Sequence, residues 1–529
     1  MLLPLVLAFQ APLAVTPDTT KLVHNALHYD VTILVRDSAK HILGEVETTW
    51  LLTSSDPVVV PLDSAFRVIR VLIDGKENTR LYRTRYGRND QIVYIPHEKQ
   101  AGDTLKTRIR YHGTPRDGLI FATDSAGDHT VFADNWPDRA HRWLPVQDHP
   151  SDKATINLSV EVGPGAKVIA NGDLVKVDTL PYGNTTWRYR LDRRVSPYNF
   201  VFGAGKLAVT RLEDGGCATR CIPVSVWSYR QDSAFAVQSF AKAPAMLDYF
   251  ASLIGEFPFN SLAHVQSTTT FGGMENATAI FYDTKMYKAR NVGEGLIAHE
   301  TAHQWFGDAV TEADWHHLWL SEGFATYLAH MWTEHSKGQE AMRAEMKQDA
   351  SQIFKSKSTS RPIIDVEATD LLGLLNTNNY QKGSWVLHEL RGLIGDSAFV
   401  HTLREFYRTR RDSTALSSDF AALASAQAGK DLNWFFTQEL TQPGYPRLSL
   451  DQNFKKGKLT LTIRQVQPAE WGVRRIPALV VDIDGARYSV NVAEQTTRFT
   501  TSTKKAPGKV VLDPDGRWLL EVVGAGTSQ

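Results

Sequence analysis

Apolar and polar residues alternate through the N-terminal part of the chain. Val31, Ile33 and Val35 share one face, with Leu34 interrupting. Ile156, Leu158, Val160 and Val162 alternate cleanly with polar residues, as do Trp187, Tyr189 and Leu191. Period-two alternation over such lengths predicts half-buried strands. Asp74-Gly75 and Asn171-Gly172 predict hairpin-type turns. From about Tyr29 to Leu207 the chain therefore reads as a large antiparallel β domain.

From about Ala208 to Gln442 the period lengthens. The stretches 232–254, 292–308, 319–336, 380–395 and 416–428 are rich in Ala, Leu, Glu and Gln. Their apolar residues recur at three and four, which predicts helices. A strand-like run, Ile222–Trp227, opens this region. After Pro443-Gly444-Tyr445-Pro446 the alternation returns, at Leu459, Leu461 and Ile463, then Leu479, Val481 and Ile483, then Tyr488, Val490 and Val492. With turns at Asp484-Gly485 and Asp515-Gly516, this is the pattern of a small β-sandwich of about 85 residues. The expected domains are residues 18–207, 208–443 and 444–529, a multidomain α+β chain.

Composition changes this picture little. A chain of 529 residues suits three or four domains. Lys+Arg and Asp+Glu both number 58, so the net charge is zero and nothing marks the chain as a nucleic-acid binder. No internal apolar run reaches the 18 or so residues of a membrane-spanning helix. The N-terminus differs: Leu2–Phe9 is a short apolar run followed by Ala11-Pro12-Leu13-Ala14. Residues 1–17 thus resemble a secretory leader without its basic start, and export to the periplasm or exterior is expected. Cys217 and Cys221 are the only cysteines. In an exported chain they suit a small-loop disulfide; free thiols are the alternative.

The chemistry concentrates in His299-Glu300-Thr301-Ala302-His303, inside the helical stretch 292–308. Histidines at i and i+4 lie on one helix face, so both imidazoles can reach one Zn²⁺. Glu300, beside the first histidine, suits a general base on a metal-activated water. Taken alone, the five residues would also fit a surface helix with two solvated histidines. A catalytic zinc needs a third protein ligand. Glu322 follows His303 after eighteen residues, at the start of the next helical pattern, and a helix–loop–helix hairpin would return it to the pair. His316 and His317, in the connection, are rival ligands. The metzincin pattern fails, because Phe306 and Ala309 stand where that pattern wants Gly and His.

At this point the chain resembles the gluzincin aminopeptidases, the family of aminopeptidase N and the leukotriene epoxide hydrolase. Gly272-Gly273-Met274-Glu275-Asn276 resembles the family's G-x-M-E-N exopeptidase motif, ahead of the H-E-x-x-H-x₁₈-E signature completed by Glu322. Tyr380-Gln381-Lys382-Gly383-Ser384-Trp385 matches the segment carrying the family's catalytic tyrosine. Asp148–Thr155 resembles its N-terminal D-x-P-x-x-K-x-T run.

The resemblance implies a thermolysin-like, mostly helical catalytic domain between the two β regions, with one zinc held by His299, His303 and Glu322. It implies an aminopeptidase acting on peptides with a free N-terminus, in which Glu300 is the base and Tyr380 stabilises the oxyanion. Glu275 would bind the substrate α-amino group. Gly272 and Gly273 would bond the extended substrate backbone, and Met274 would line the pocket for the first side chain. A second amine anchor, commonly Gln or Glu in the family, falls by eye on Asp134. Aminopeptidase N types also carry a large helical C-terminal domain. The sequence ends after the β-sandwich instead, so a more open site is expected.

Overall fold

The alternating segments fold as strands. The structure, a computed structural model, describes residues 24–78, 82–86 and 89–524. The leader-like residues 1–17 lie outside the described residues. The chain packs as two compact units, one formed by Pro17–Trp315 with Phe406–Ala415, the other by His316–Glu405 with Leu416–Gln529.

The first unit opens with an eight-stranded sheet. Its order is Asp173–Thr179, Thr185–Val195, Ala154–Val162, Asn25–Arg36, His41–Leu51, Thr104–Gly113, Phe66–Ile73 and Lys76–Glu77. Val31, Ile33, Ile156, Leu158 and Val160 are all buried, as alternation requires. One pairing departs from an antiparallel plan: Asn25–Arg36 runs parallel to Ala154–Val162, with Val31 opposite Leu158. More than a hundred residues separate these strands, ample for the crossover that a parallel pair needs. Asp74-Gly75 closes a two-residue hairpin, with Leu72 opposite Glu77 and both turn residues at positive φ. Asn171-Gly172 does not. It carries the chain from Lys167–Ala170, in a separate four-stranded sheet, to Asp173–Thr179 in the eight-stranded one. Gly172 takes the left-handed φ that Asn-Gly favours (+85°), but here the turn switches sheets.

The same unit continues into a mixed five-stranded sheet: Leu207–Arg211, Val224–Tyr229, Leu262–Ser267, Ala279–Asp283 and the two-residue edge Gly273–Met274. The expected helix over 232–254 is two helices, Ser233–Ser239 and Ala243–Ile254. Pro244 explains the break, since proline suits a first turn and cannot continue a helix. Cys217 and Cys221 are joined as a disulfide. The helix Glu294–His303 follows; Ile297, Ala298 and Ala302 are its buried apolar face. Its end is anchored by Trp305, fully buried against Phe250 and Phe257, with its indole N–H donated to the Gly255 carbonyl at 3.0 Å. Each buried ring of this kind contributes roughly 2–3 kcal/mol.

The second unit is helical, then β. Trp319–Lys337, Gln339–Lys355, Gly383–Ile394, Ser417–Ala428 and Asn433–Thr441 are among its helices, with most of Asp396–Arg410. The C-terminal strands form a four-stranded and a three-stranded sheet around one core that includes Leu448, Leu459, Leu461, Ile463, Leu479, Val481 and Trp518. Of these, Leu459, Leu461, Ile463, Leu479 and Val481 are residues whose alternation announced the sandwich. No helix among the described residues is long and apolar enough to cross a membrane.

Candidate active site

The helix Glu294–His303 presents His299 and His303 on one face, with their Nε2 atoms 3.0 Å apart. His303 Nδ1 lies 3.1 Å from the Phe306 carbonyl, which can only accept. That contact puts the ring proton on Nδ1 and the ring's lone pair on Nε2, on the side facing His299. Two imidazole nitrogens converging at this distance fit the needs of a bound zinc.

Glu300, between them in sequence, is buried. Its carboxylate lies against the edge strand Gly273–Met274, so closely that a Cβ at Gly273 would collide with Glu300 Oε1. This is why the position must be glycine: the backbone and the acid share the space a side chain would need. The edge strand is held antiparallel, with Gly273 opposite Tyr282 and Met274 opposite Phe281, and Gly272 accepts from the Asp283 N–H at 3.1 Å. Met274 itself is buried.

Glu275 follows directly and is also buried. A ligand atom from each of Glu275, Glu300 and His303 falls within 4.8 Å of the others. Two carboxylates beside an imidazole this close make a strongly anionic pocket, suited to a metal ion, an ammonium group, or both. The charge is felt by neighbours. Burial, and then the negative charge of Glu275, push Asp308 well above the usual carboxylate range. Burial, and then Glu300, push the Tyr282 phenol well up.

Several residues at this site escaped the sequence reading. Gln304, fully buried next to His303, donates to the Glu275 carbonyl (2.6 Å) and to Asp308 Oδ2 (2.8 Å), and accepts from the Thr278 N–H (2.9 Å). Asn199 accepts from the Ala277 N–H at 2.6 Å, and Asn171 donates to the Ala277 carbonyl at 2.8 Å. Lys153, by contrast, stands in the D-x-P-x-x-K-x-T run that the sequence shows; it is buried and donates to the Asp308 and Ala309 carbonyls at 2.9 and 2.8 Å. Burial pulls its ammonium down to about 7, against the pull of Asp412, Asp308 and Glu312. Amide side chains carry no motif, and no spacing rule would have found them.

Asp134 is fully buried and already bonded. It accepts from Arg139 at 2.9 Å and from the N–H and hydroxyl of Thr270 at 2.9 and 2.8 Å. The two Thr270 contacts tie it to the loop that precedes the edge strand.

In the other unit, Glu322 sits in the first turn of the helix Trp319–Lys337 and is buried. The next residue, Gly323, meets Gly383: a Cβ on Gly323 would lie 2.9 Å from Gly383 backbone atoms. Tyr380 belongs to a single π turn, Asn378–Lys382, leading into the helix Gly383–Ile394. Single π turns are rare and recur at functional sites. His316 Nε2 lies 3.1 Å from the Ala368 carbonyl, and His317 Nδ1 lies 2.7 Å from Ser417 Oγ.

A pair of histidines one helical turn apart, with an acid between them set against a β edge, defines a zincin-type site. Residues 25–198 match the Peptidase M1 N-terminal domain, and residues 238–438 match the Peptidase family M1 domain. The chain belongs to peptidase family M1. It is 24% identical over 430 residues to a leucyl aminopeptidase of Saccharolobus solfataricus, covering 77% of this chain and 52% of that protein. To aminopeptidase N of Lactococcus lactis it is 27% identical over 340 residues, 59% of this chain and 38% of that protein. The chain thus spans about half or less of these relatives' length. Among solved structures, it superposes on an M1 zinc metallopeptidase of Deinococcus radiodurans with TM-score 0.67 and 23% identity, over 80% of this chain and 94% of that one. A variant from the same organism, bound to a Tyr-Ser-Ala substrate, gives TM-score 0.70 and 24% identity, over 79% of this chain and 94% of that one. That likeness establishes the fold.

Proposed function

We propose that this chain is a zinc-dependent aminopeptidase that removes single residues from the free N-terminus of peptides. His299, His303 and Glu322 hold the metal. When bound, zinc supplies a Lewis acid that polarises the scissile carbonyl and lowers the pKa of water. Glu300 takes the proton of the attacking water and hands it to the leaving amine. Tyr380 donates its phenol hydrogen to the oxyanion as it develops. Glu275 pairs with the substrate ammonium and so sets the cleavage register. The edge Gly273–Met274 offers backbone groups to an extended peptide, and Met274 borders the first side chain.

One observation carries this reading. The Glu300 carboxylate lies against Gly273, with Glu275 and His303 in the same pocket. A base, a histidine ligand and an ammonium partner thus surround one end of a peptide-binding edge. The test is a panel of free aminoacyl-fluorophore substrates beside one N-acetylated analogue, with and without a chelator. Chelator-sensitive cleavage of only the free-amine compounds is expected. Cleavage of the acetylated analogue would make the protein an endopeptidase and remove the role given to Glu275.

The disulfide Cys217–Cys221 supports a second proposal, that the chain works outside a reducing cytosol. Thiol titration of unfolded protein from its native source, before and after reductant, should find no free thiols and then two.

A further inference from the structure

The segment Thr270–Thr278 carries the peptide-binding edge and Glu275, yet little of it is strand. Only Gly273 and Met274 pair with a neighbour. Gln304 of the histidine helix holds Glu275 itself, donating to its carbonyl at 2.6 Å and accepting the Thr278 N–H at 2.9 Å, and the N-terminal β region holds the two flanks. Upstream of the edge, the Asp134 carboxylate receives both the N–H and the hydroxyl of Thr270. Its other oxygen takes Arg139, whose guanidinium lies over the Phe271 ring at 5.7 Å. Downstream, Asn199 Oδ1 accepts the Ala277 N–H, Asn171 Nδ2 donates to the Ala277 carbonyl, and the Gly172 N–H donates to Thr278 Oγ1 at 2.7 Å. Thr278 is held at φ +67°, a left-handed conformation that costs a β-branched residue energy and persists only where contacts impose it.

We propose that Asp134 and Asn199 are positioning residues that set Glu275 for the substrate ammonium by clamping both flanks of its segment. This rests on the reading of Glu275 as the amine partner. The physical argument is one of tolerance. A carboxylate that must meet an ammonium at hydrogen-bond distance has to be held to about 0.5 Å, and two-residue pairing on one side cannot do that. The clamps are buried, charge-assisted on one flank and amide-built on the other, and they meet the segment within two residues of Glu275 on its far side. On this proposal Asp134 acts through the segment, by way of Thr270, and not as the direct second amine anchor; Asn199 acts through Ala277.

The experiment compares Asn199→Ala and Thr270→Val with wild type on free-amine aminoacyl-fluorophores. Thr270→Val removes one of two bonds to Asp134 in a nearly isosteric change, so it reports even where Asn199→Ala folds poorly. Thr270→Ser, which keeps the hydroxyl, is the rescue. Glu275→Gln is the control, and bound zinc per chain is measured for each.

Asn199→Ala should raise KM about tenfold, with kcat within about threefold of wild type and zinc unchanged. Thr270→Val should raise KM less, and Thr270→Ser should restore it. Lower kcat or melting temperature with unchanged KM would reduce the clamps to scaffold and overturn the proposal. If Glu275→Gln raises KM and the clamp variants do not, the positioning role alone fails. If Glu275→Gln leaves KM unchanged, the amine assignment fails and takes the clamp with it.

Discussion

At the scale of single residues, the site rests on very close approaches. Glu300 and Gly273 share a space that admits no side chain. Glu300→Gln should therefore keep its zinc and lose about 10³-fold in kcat, since a positioned base contributes 10²–10⁴. Metal analysis beside initial rates checks this. Gly273→Ala should also keep its zinc but lose activity by displacing Glu300, by about 10²-fold; wild-type rates would refute the contact. Histidines outside the site govern stability. Burial pulls His330 down, but the hydrogen bonds it donates to the carboxylates of Asp349 (2.8 Å) and Glu345 (3.0 Å) raise it to about 9. His141, between Asp148 and Asp90, is likewise raised to about 9. Both pKa values are higher folded than unfolded. Their stabilisation is therefore complete below about pH 6.5 and disappears as pH rises to about 9. Each is worth roughly 3 kcal/mol at the acid end. His330→Gln should lower the urea midpoint much more at pH 6 than at pH 9.5.

At the scale of elements, the histidine helix was legible because its motif has a helical period and nothing in the stretch breaks it. The helix is nonetheless shorter than its pattern, ending at His303, where Trp305 and Phe306 turn into the core. The edge strand was not legible: two residues are too few for a period, and Gly273–Met274 is strand only because Ala279–Asp283 lies beside it. Similarly, the pattern over 380–395 predicts a helix but not the π turn that carries Tyr380. That turn and the helix Trp319–Lys337 approach through Gly323 and Gly383. Gly323→Ala should force them apart by a few tenths of an ångström and shift the adjacent Glu322. The expected result is weaker zinc retention against a chelator together with a lower melting temperature. A variant with unchanged zinc affinity would separate this contact from the ligand.

At the scale of the whole molecule, the C-terminal sandwich is bound to the helices of its unit by buried charge. Arg474 is fully buried and donates to the carbonyls of Gln438 and Pro443, with Glu439 at 3.8 Å. Glu389 accepts from the Leu519 N–H at 2.8 Å; burial and then Glu439 push it well above the usual carboxylate range. Lys382, two residues from Tyr380, is fully buried and pulled down to about 7 by burial and then by Arg474. Arg474→Ala would leave these carboxylates without their main counter-charge. It should cost about 3–5 kcal/mol, read as a shift of the urea transition, because removing one partner strands the others. A loss below about 1 kcal/mol would mean that Arg474 contributes little to holding the sandwich on the helices.

Local sequence is enough to order the strand-patterned, helical and second strand-patterned regions, to bury alternating residues such as Ile156 and Leu461, and to mark the candidate chemistry of His299, Glu300 and His303. Those are local properties: period, turn propensity and spacing along one helix. Tertiary structure alone decided that Asn25–Arg36 pairs in parallel with Ala154–Val162 and that Asn171-Gly172 changes sheets. It also decided that Asp134, Asn199 and Gln304 grip the segment bearing Glu275. The reason is physical. An amide or an isolated carboxylate has no periodicity to announce it, and its role is set by which distant backbone groups, from 29 to 136 residues away here, the fold brings within 3 Å.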